Sequence, residues 1–82
     1  MKEKYDIEHA CKCIIYLWQQ YGDISTNNEK HYLLEHRNMS AGEEATDFLE
    51  HYGYGIDVGY SLALTRKGLI LADEEGCKGI DE

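Results

Sequence analysis

His9 and Cys13 are four residues apart in a stretch with helical periodicity. That spacing puts an imidazole and a thiol one turn apart on the same face, a pair of zinc-ligand types. A structural zinc site needs about four ligands. The remaining candidates, His31, His36, His51 and Cys77, lie at irregular spacings, with no C-x-x-C and no H-E-x-x-H. Cys11 and Cys13 are two apart, so on a helix they face different ways and can neither bridge nor share an ion. An odd thiol count is a poor disulfide framework, and reduced thiols are expected. No metal and no cofactor is expected. A nucleophilic cysteine needs an electropositive pocket, and the chain carries a net charge of −8. Glu35 beside His36 is ordinary surface chemistry. The glycine-rich run GYGIDVG lacks the lysine and following hydroxyl residue of a phosphate loop. The expectation is a protein that is not an enzyme.

The second chemical feature is a block of carboxylates. Ser40 to Gly55 reads SAGEEATDFLEHYGYG, with Glu43, Glu44, Asp47 and Glu50, and no Lys or Arg occurs between Arg37 and Arg66. Acids at a helix start are favoured by the helix dipole, which accounts for Glu43 and Glu44. Asp47 and Glu50 lie further along, where the dipole explains less. A solvated face that keeps the protein soluble is the plainest account of them.

These side chains must be positioned by a small framework. A chain of 82 residues, 43% hydrophobic, makes one domain at most. It is assigned to residues 1–75, with an acidic tail at 76–82 expected to fray. No apolar run approaches the ~20 residues of a membrane span. The segment MKEKYDIEHA lacks the apolar stretch of a leader, so a cytoplasmic location is expected. Ile7, Cys11, Ile14, Trp18 and Tyr21 recur at helical spacing, widened by Ala10, Ile15 and Leu17, which predicts a helix over Tyr5–Tyr21. Lys12 and Tyr16 fall opposite, and Gly22 stops it. Ile24 suggests a very short strand. Thr26 or Asn27 is positioned to cap a second helix over Asn28–His36, with Tyr32, Leu33 and His36 on one face. Ser40 and Glu43 have capping-box spacing and open a third helix to Tyr52. Its inward face would be Ala45, Phe48, Leu49 and Tyr52, and Gly53 would end it.

The pattern then changes. Tyr60, Leu62 and Leu64 alternate with Ser61 and Ala63, the mark of a half-buried strand. Tyr54–Ile56 can pair with it across a turn at Asp57–Gly59. Thr65 caps a final helix that Gly76 can end. Leu69, Ile70, Leu71 and Ala72 go all round that helix, so it wants cover on more than one side. A homodimer through Tyr16, Ile70 and Leu71 would supply it.

The order helix, strand, helix, helix, hairpin, helix resembles the winged helix-turn-helix family. The most specific piece is LALTRKGLILA (Leu62–Ala72). It looks like the strand-to-helix junction of small bacterial winged-helix proteins, where an L-T-x-x-G run follows the wing. Leu64, Thr65 and Gly68 carry the match: a core residue, a cap and a close helix contact. The resemblance implies an α+β fold of three helices, a β-hairpin wing and a C-terminal helix. It also implies a third helix that enters the DNA groove. Its groove-facing positions would be Gly42, Glu43, Thr46, Asp47, Glu50 and His51, with Asp57, Val58 and Gly59 at the wing tip. DNA readers put Arg, Lys, Asn and Gln there, and this chain puts acids. The charge weighs against direct nucleic-acid binding and towards a basic protein partner met through Glu43, Glu44, Asp47, Glu50, His51 and Asp57. The sharper form is a nucleic-acid mimic of phage or mobile-element type, which inhibits a DNA- or RNA-binding protein. The alternative is a transcriptional regulator that docks on DNA through Lys30, Arg37, Arg66 and Lys67.

Overall fold

Burial of Trp18 organises the molecule. In a computed structural model, which describes residues 2–35, 42–59 and 61–80, the first helix, α1 (Lys2–Tyr21), lays Cys11, Ile15 and Trp18 fully into the interior. The Trp18 indole N–H donates to the Glu35 carbonyl at 3.1 Å, so the ring is buried with its polar end satisfied. Ile7 and Ile14 flank this stripe, half-buried. Tyr21 and Leu17 were expected in it and are instead 79% and 45% exposed. The true stripe is centred on Cys11, Ile15 and Trp18, narrower than the sequence suggests.

Four strands form one antiparallel sheet in the order β1-β2-β4-β3. They are β1 (Asp23–Thr26), β2 (Tyr32–Glu35), β3 (Gly55–Asp57) and β4 (Ser61–Leu64). Among the described residues there are two further helices, α2 (Gly42–His51) and α3 (Arg66–Ala72). The chain is thus a small α+β domain, with helices packed on an antiparallel sheet. Tyr32 and Leu34 of β2 and Leu62 and Leu64 of β4 join Cys11, Ile15, Trp18, Leu49, Tyr54, Leu69 and Ala72 in a single core.

The helix expected over Asn28–His36 is replaced by a hairpin through residue 35. Asn27 does what a helix cap does, but for a turn. Its side-chain oxygen accepts from the amides of Glu29 at 3.0 Å and His31 at 2.9 Å. Lys30 takes a left-handed φ of 66°, and Tyr32–Glu35 then pairs with Asp23–Thr26. Tyr32, Leu33 and Leu34 are all buried. A short apolar run satisfies strand and helix alike, and here pairing with β1 and β4 decides for the strand.

β4 was expected to alternate between buried and exposed, yet all four residues are buried. It is an inner strand, and its small Ala63 sits in register between Leu33 and Ile56, whose larger side chains flank it. The β3–β4 hairpin turns where expected. The Asp57 carboxylate accepts from the Gly59 amide at 2.8 Å, and Gly59 takes φ 110°. The strand-to-helix junction also holds. Leu64 is fully buried, and Thr65 Oγ1 accepts from the Gly68 amide at 3.2 Å. A Cβ on Gly68 would run into the Tyr54 carbonyl.

α3 ends at Asp73, not Gly76. Asp73 takes the left-handed cap conformation, φ 54°, and its amide bonds the Ile70 carbonyl. Leu69 and Ala72 are buried, Leu71 is half-buried against the core, and Ile70 is 71% exposed. The helix is therefore not apolar all round in effect. α1 covers its inner side, where Gln19 donates to the Ala72 carbonyl at 3.0 Å. Beyond it, residues 76–80 are tied back to the body. Lys78 N–H donates to the Lys30 carbonyl and Ile80 N–H to the Leu64 carbonyl, which is more order than the sequence suggests for that tail.

Candidate functional site

α2 is the element that places the carboxylates. Gly42, Thr46 and Leu49, spaced i, i+4, i+7, are its buried stripe, with Ala45, Phe48 and Tyr52 half-buried beside it. The inward face is thus rotated from the one the apolar residues alone suggest. Gly42 and Thr46, expected to face a groove, face the interior. The helix closes on Gly53 as expected. The Gly53 amide bonds the Glu50 carbonyl and the Tyr54 amide the Leu49 carbonyl, with Gly53 at φ 84°, a Schellman cap. Ser40 and its proposed capping box lie outside the described residues, as do His36, Arg37 and Tyr60.

Glu43, Glu44, Asp47, Glu50, His51 and Asp57 are all exposed. The fold divides them. Glu43, Asp47 and Asp57, with Thr46 and Gly59, line a cleft of about 230 Å³ between α2 and the β3–β4 turn. Glu50 anchors its far edge, where its carboxylate accepts from the Asp57 amide at 3.4 Å. Glu44 and His51 are not part of the cleft lining. The His51 ring packs edge-on against Tyr52, centroids 4.7 Å apart.

Thr46 is the residue that the sequence reading did not assign to the partner site. It is 2% exposed, and its hydroxyl has no hydrogen-bond partner among the described residues. An unmet buried hydroxyl costs about 1–3 kcal/mol. The signal available in sequence was the spacing of Gly42, Thr46 and Leu49, neutral residues at helical intervals within an acidic run. Ser61, on β4, has a second buried hydroxyl with no partner among the described residues, but it does not line the cleft.

Ionised carboxylates only accept hydrogen bonds, and a threonine hydroxyl can accept as well. A cleft of this make-up suits a ligand rich in donors and positively charged. Among the described residues, no group of three or more His, Cys, Asp or Glu is arranged to hold a metal ion. The cleft carboxylates can accept from the donors of an ammonium or a guanidinium group.

The basic residues lie elsewhere. Lys67 Nζ donates to the Tyr52 carbonyl at 3.0 Å and sits 4.5 Å from the Tyr54 ring centre, so it is engaged with the α2 C-terminal turn. Arg66 precedes it at the start of α3. Lys30 is at the β1–β2 turn, against the main chain of Lys78. Tyr16 and Ile70 of the expected dimer surface are 56% and 71% exposed, whereas Leu71 packs against the core.

No protein-family model, no curated protein and no solved structure matches the chain significantly. No helix among the described residues is long and apolar enough to cross a membrane.

Proposed function

We propose that this chain is a small acidic interaction module whose α2–hairpin cleft receives a cationic side chain of a basic partner protein. One observation carries the reading: Glu43, Asp47 and Asp57 line one cleft, whose wall includes Thr46, a buried residue with an unmet hydroxyl. Glu44 and Glu50 are exposed on the same helix and add to its negative charge. With a net charge of −8, association with a basic partner would be electrostatically steered, fast and salt-sensitive. The winged-helix reading draws support from the succession α2, β3–β4 hairpin, α3 and from the Leu64–Thr65–Gly68 junction. The described residues before α2 form a strand where a helix-turn-helix has its first helix. In that frame α2 keeps the place of a recognition element and carries phosphate-like charge. The sharper form is a nucleic-acid mimic that occupies the basic surface of a DNA- or RNA-binding protein.

The test is capture from lysate with and without nuclease, at low and high salt, comparing the native chain with a Glu43→Lys/Asp47→Lys variant. Both substituted residues are exposed, so the fold should persist, and circular dichroism checks this. The expected result is a nuclease-resistant protein partner lost at high salt and lost in the variant. Capture unchanged by the substitutions would sink the reading. Enrichment of nuclease-sensitive DNA would favour a regulator.

A further inference from the structure

A second concave surface lies along α3 and shares no lining residue with the α2 cleft. Asp73 takes the left-handed conformation and ends the helix, and the Glu74 amide bonds back to the Leu69 carbonyl at 3.2 Å. The chain beyond is held in place. The Lys78 amide donates to the Lys30 carbonyl at 2.8 Å, and the Ile80 amide donates to the Leu64 carbonyl at 3.1 Å. Between α3 and this pinned tail is an open groove of about 540 Å³, lined from Arg66 at the helix start to Gly76 and Cys77 in the tail. Its size falls within the roughly 300–1,000 Å³ of clefts that hold ligands. Main-chain hydrogen bonds fix both walls, so the groove is formed before anything enters it.

The lining has two chemistries. Leu69 and Ile70 supply apolar surface, and Ile70 is 71% exposed. A lone exposed isoleucine needs no explanation, but this one borders a formed groove. Asp73, Glu74 and Glu75 line the same groove, against one basic residue, Arg66. The three acids follow the C-terminal end of α3, where the helix dipole disfavours negative charge. Helix stability therefore does not account for them, and a cation seated beside them would offset that cost. The charge selects the occupant. Carboxylates repel an anionic ligand, and a purely apolar one would take water from them and return no donors. A second copy of the chain, at −8, brings the wrong charge. We propose that this groove docks a basic peptide segment of a partner protein. One apolar side chain of the segment lies against Leu69 and Ile70, and its Lys or Arg neighbours face Asp73, Glu74 and Glu75. An apolar anchor flanked by charge is a common form of peptide recognition.

The probe is a random-peptide display library selected on the immobilised full chain. Enriched peptides are then synthesised and titrated by fluorescence anisotropy. They are expected to share an apolar residue flanked by Lys or Arg. Ile70→Ser and Glu75→Lys, both at exposed positions, should each weaken their binding at least about tenfold, with circular dichroism checking both folds. The Glu43→Lys/Asp47→Lys variant should lose no more than about threefold at about 0.15 M salt, where distant charges are screened. The groove can thus fail while the cleft stands, and the reverse. A selection that enriches nothing, or only acidic or uncharged peptides, would overturn the proposal. So would equal binding by Ile70→Ser, or a loss confined to the cleft variant. A mass doubled in light scattering and restored to one chain by Ile70→Ser would also overturn it, since a second copy would then fill the groove.

Discussion

Two single residues set opposite balances between stability and function. Gly68 is in α3, where a change to alanine would ordinarily gain about 1 kcal/mol of helix propensity. Here the added Cβ meets the Tyr54 carbonyl, which is main chain and which already accepts from the Thr65 amide at 3.1 Å. Gly68→Ala should therefore destabilise the protein by about 1–3 kcal/mol, the cost of overpacking. A denaturant midpoint at or above that of the native chain would contradict the close approach. Thr46 works the other way. Its hydroxyl is buried with no partner among the described residues, so Thr46→Val keeps the shape and removes the unmet group. The variant should gain about 1 kcal/mol and, under the proposed function, bind a basic partner less well. Thermal melts and binding measured on the same preparation decide it. A loss of stability would mean that the hydroxyl is satisfied in the free protein, and the cleft would lose its strongest mark of a ligand.

At the scale of elements, the hairpin β1–β2 shows where local chemistry is ambiguous. Asn27 offers an acceptor to amides that follow it, and the same offer begins helices and closes turns. Asn27→Ala removes the acceptor for two amides, Glu29 and His31. It should lower stability by about 1–2 kcal/mol without loss of helical circular dichroism, since residues 32–35 are strand. An unaltered urea midpoint would show that the turn does not depend on Asn27. The same ambiguity explains which elements were legible. α1, the β3–β4 hairpin and the Thr65-capped helix could be read because each carries a signal of its own: a helical stripe, alternation with turn glycines, a cap. β2 carries only YLLE, and its strand state comes from partners distant in sequence. The candidate cleft was half legible. Its carboxylates stand out by composition, but the rotation of α2 that buries Thr46 is set by packing against the sheet and hairpin. The His9–Cys13 pair was visible as spacing, and in the structure it is an ordinary i, i+4 hydrogen bond of 3.6 Å with no third ligand among the described residues.

For the whole molecule, charge and burial act together at high pH. Cys11, Tyr32, Tyr54 and Cys77 all have pKa values raised above the ordinary 9.0 of a thiol or 10.0 of a phenol, and burial is the leading cause for each. The nearby Glu74 carboxylate adds to the rise at Tyr32 and Cys77, and Cys11 and Glu8 add to it at Tyr54. In the folded state these groups hold their protons beyond the pH at which the unfolded chain releases its own. The folded state then binds more protons than the unfolded one, so stability falls as pH rises. The contribution is complete below the ordinary thiol value of 9.0. It is lost progressively as pH climbs through the ordinary values towards the raised ones. Each proton lost also deepens a charge already at −8, and self-repulsion opposes the compact state. Salt separates the two contributions. At about 0.5 M it screens the repulsion between surface charges but leaves the burial of thiols and phenols unchanged. Melting temperatures should therefore fall from about pH 8 to about pH 10.5, with high salt recovering only part of the loss. Full recovery in salt would mean that repulsion alone drives the decline, and a flat profile would mean that none of these four groups is held neutral by the fold.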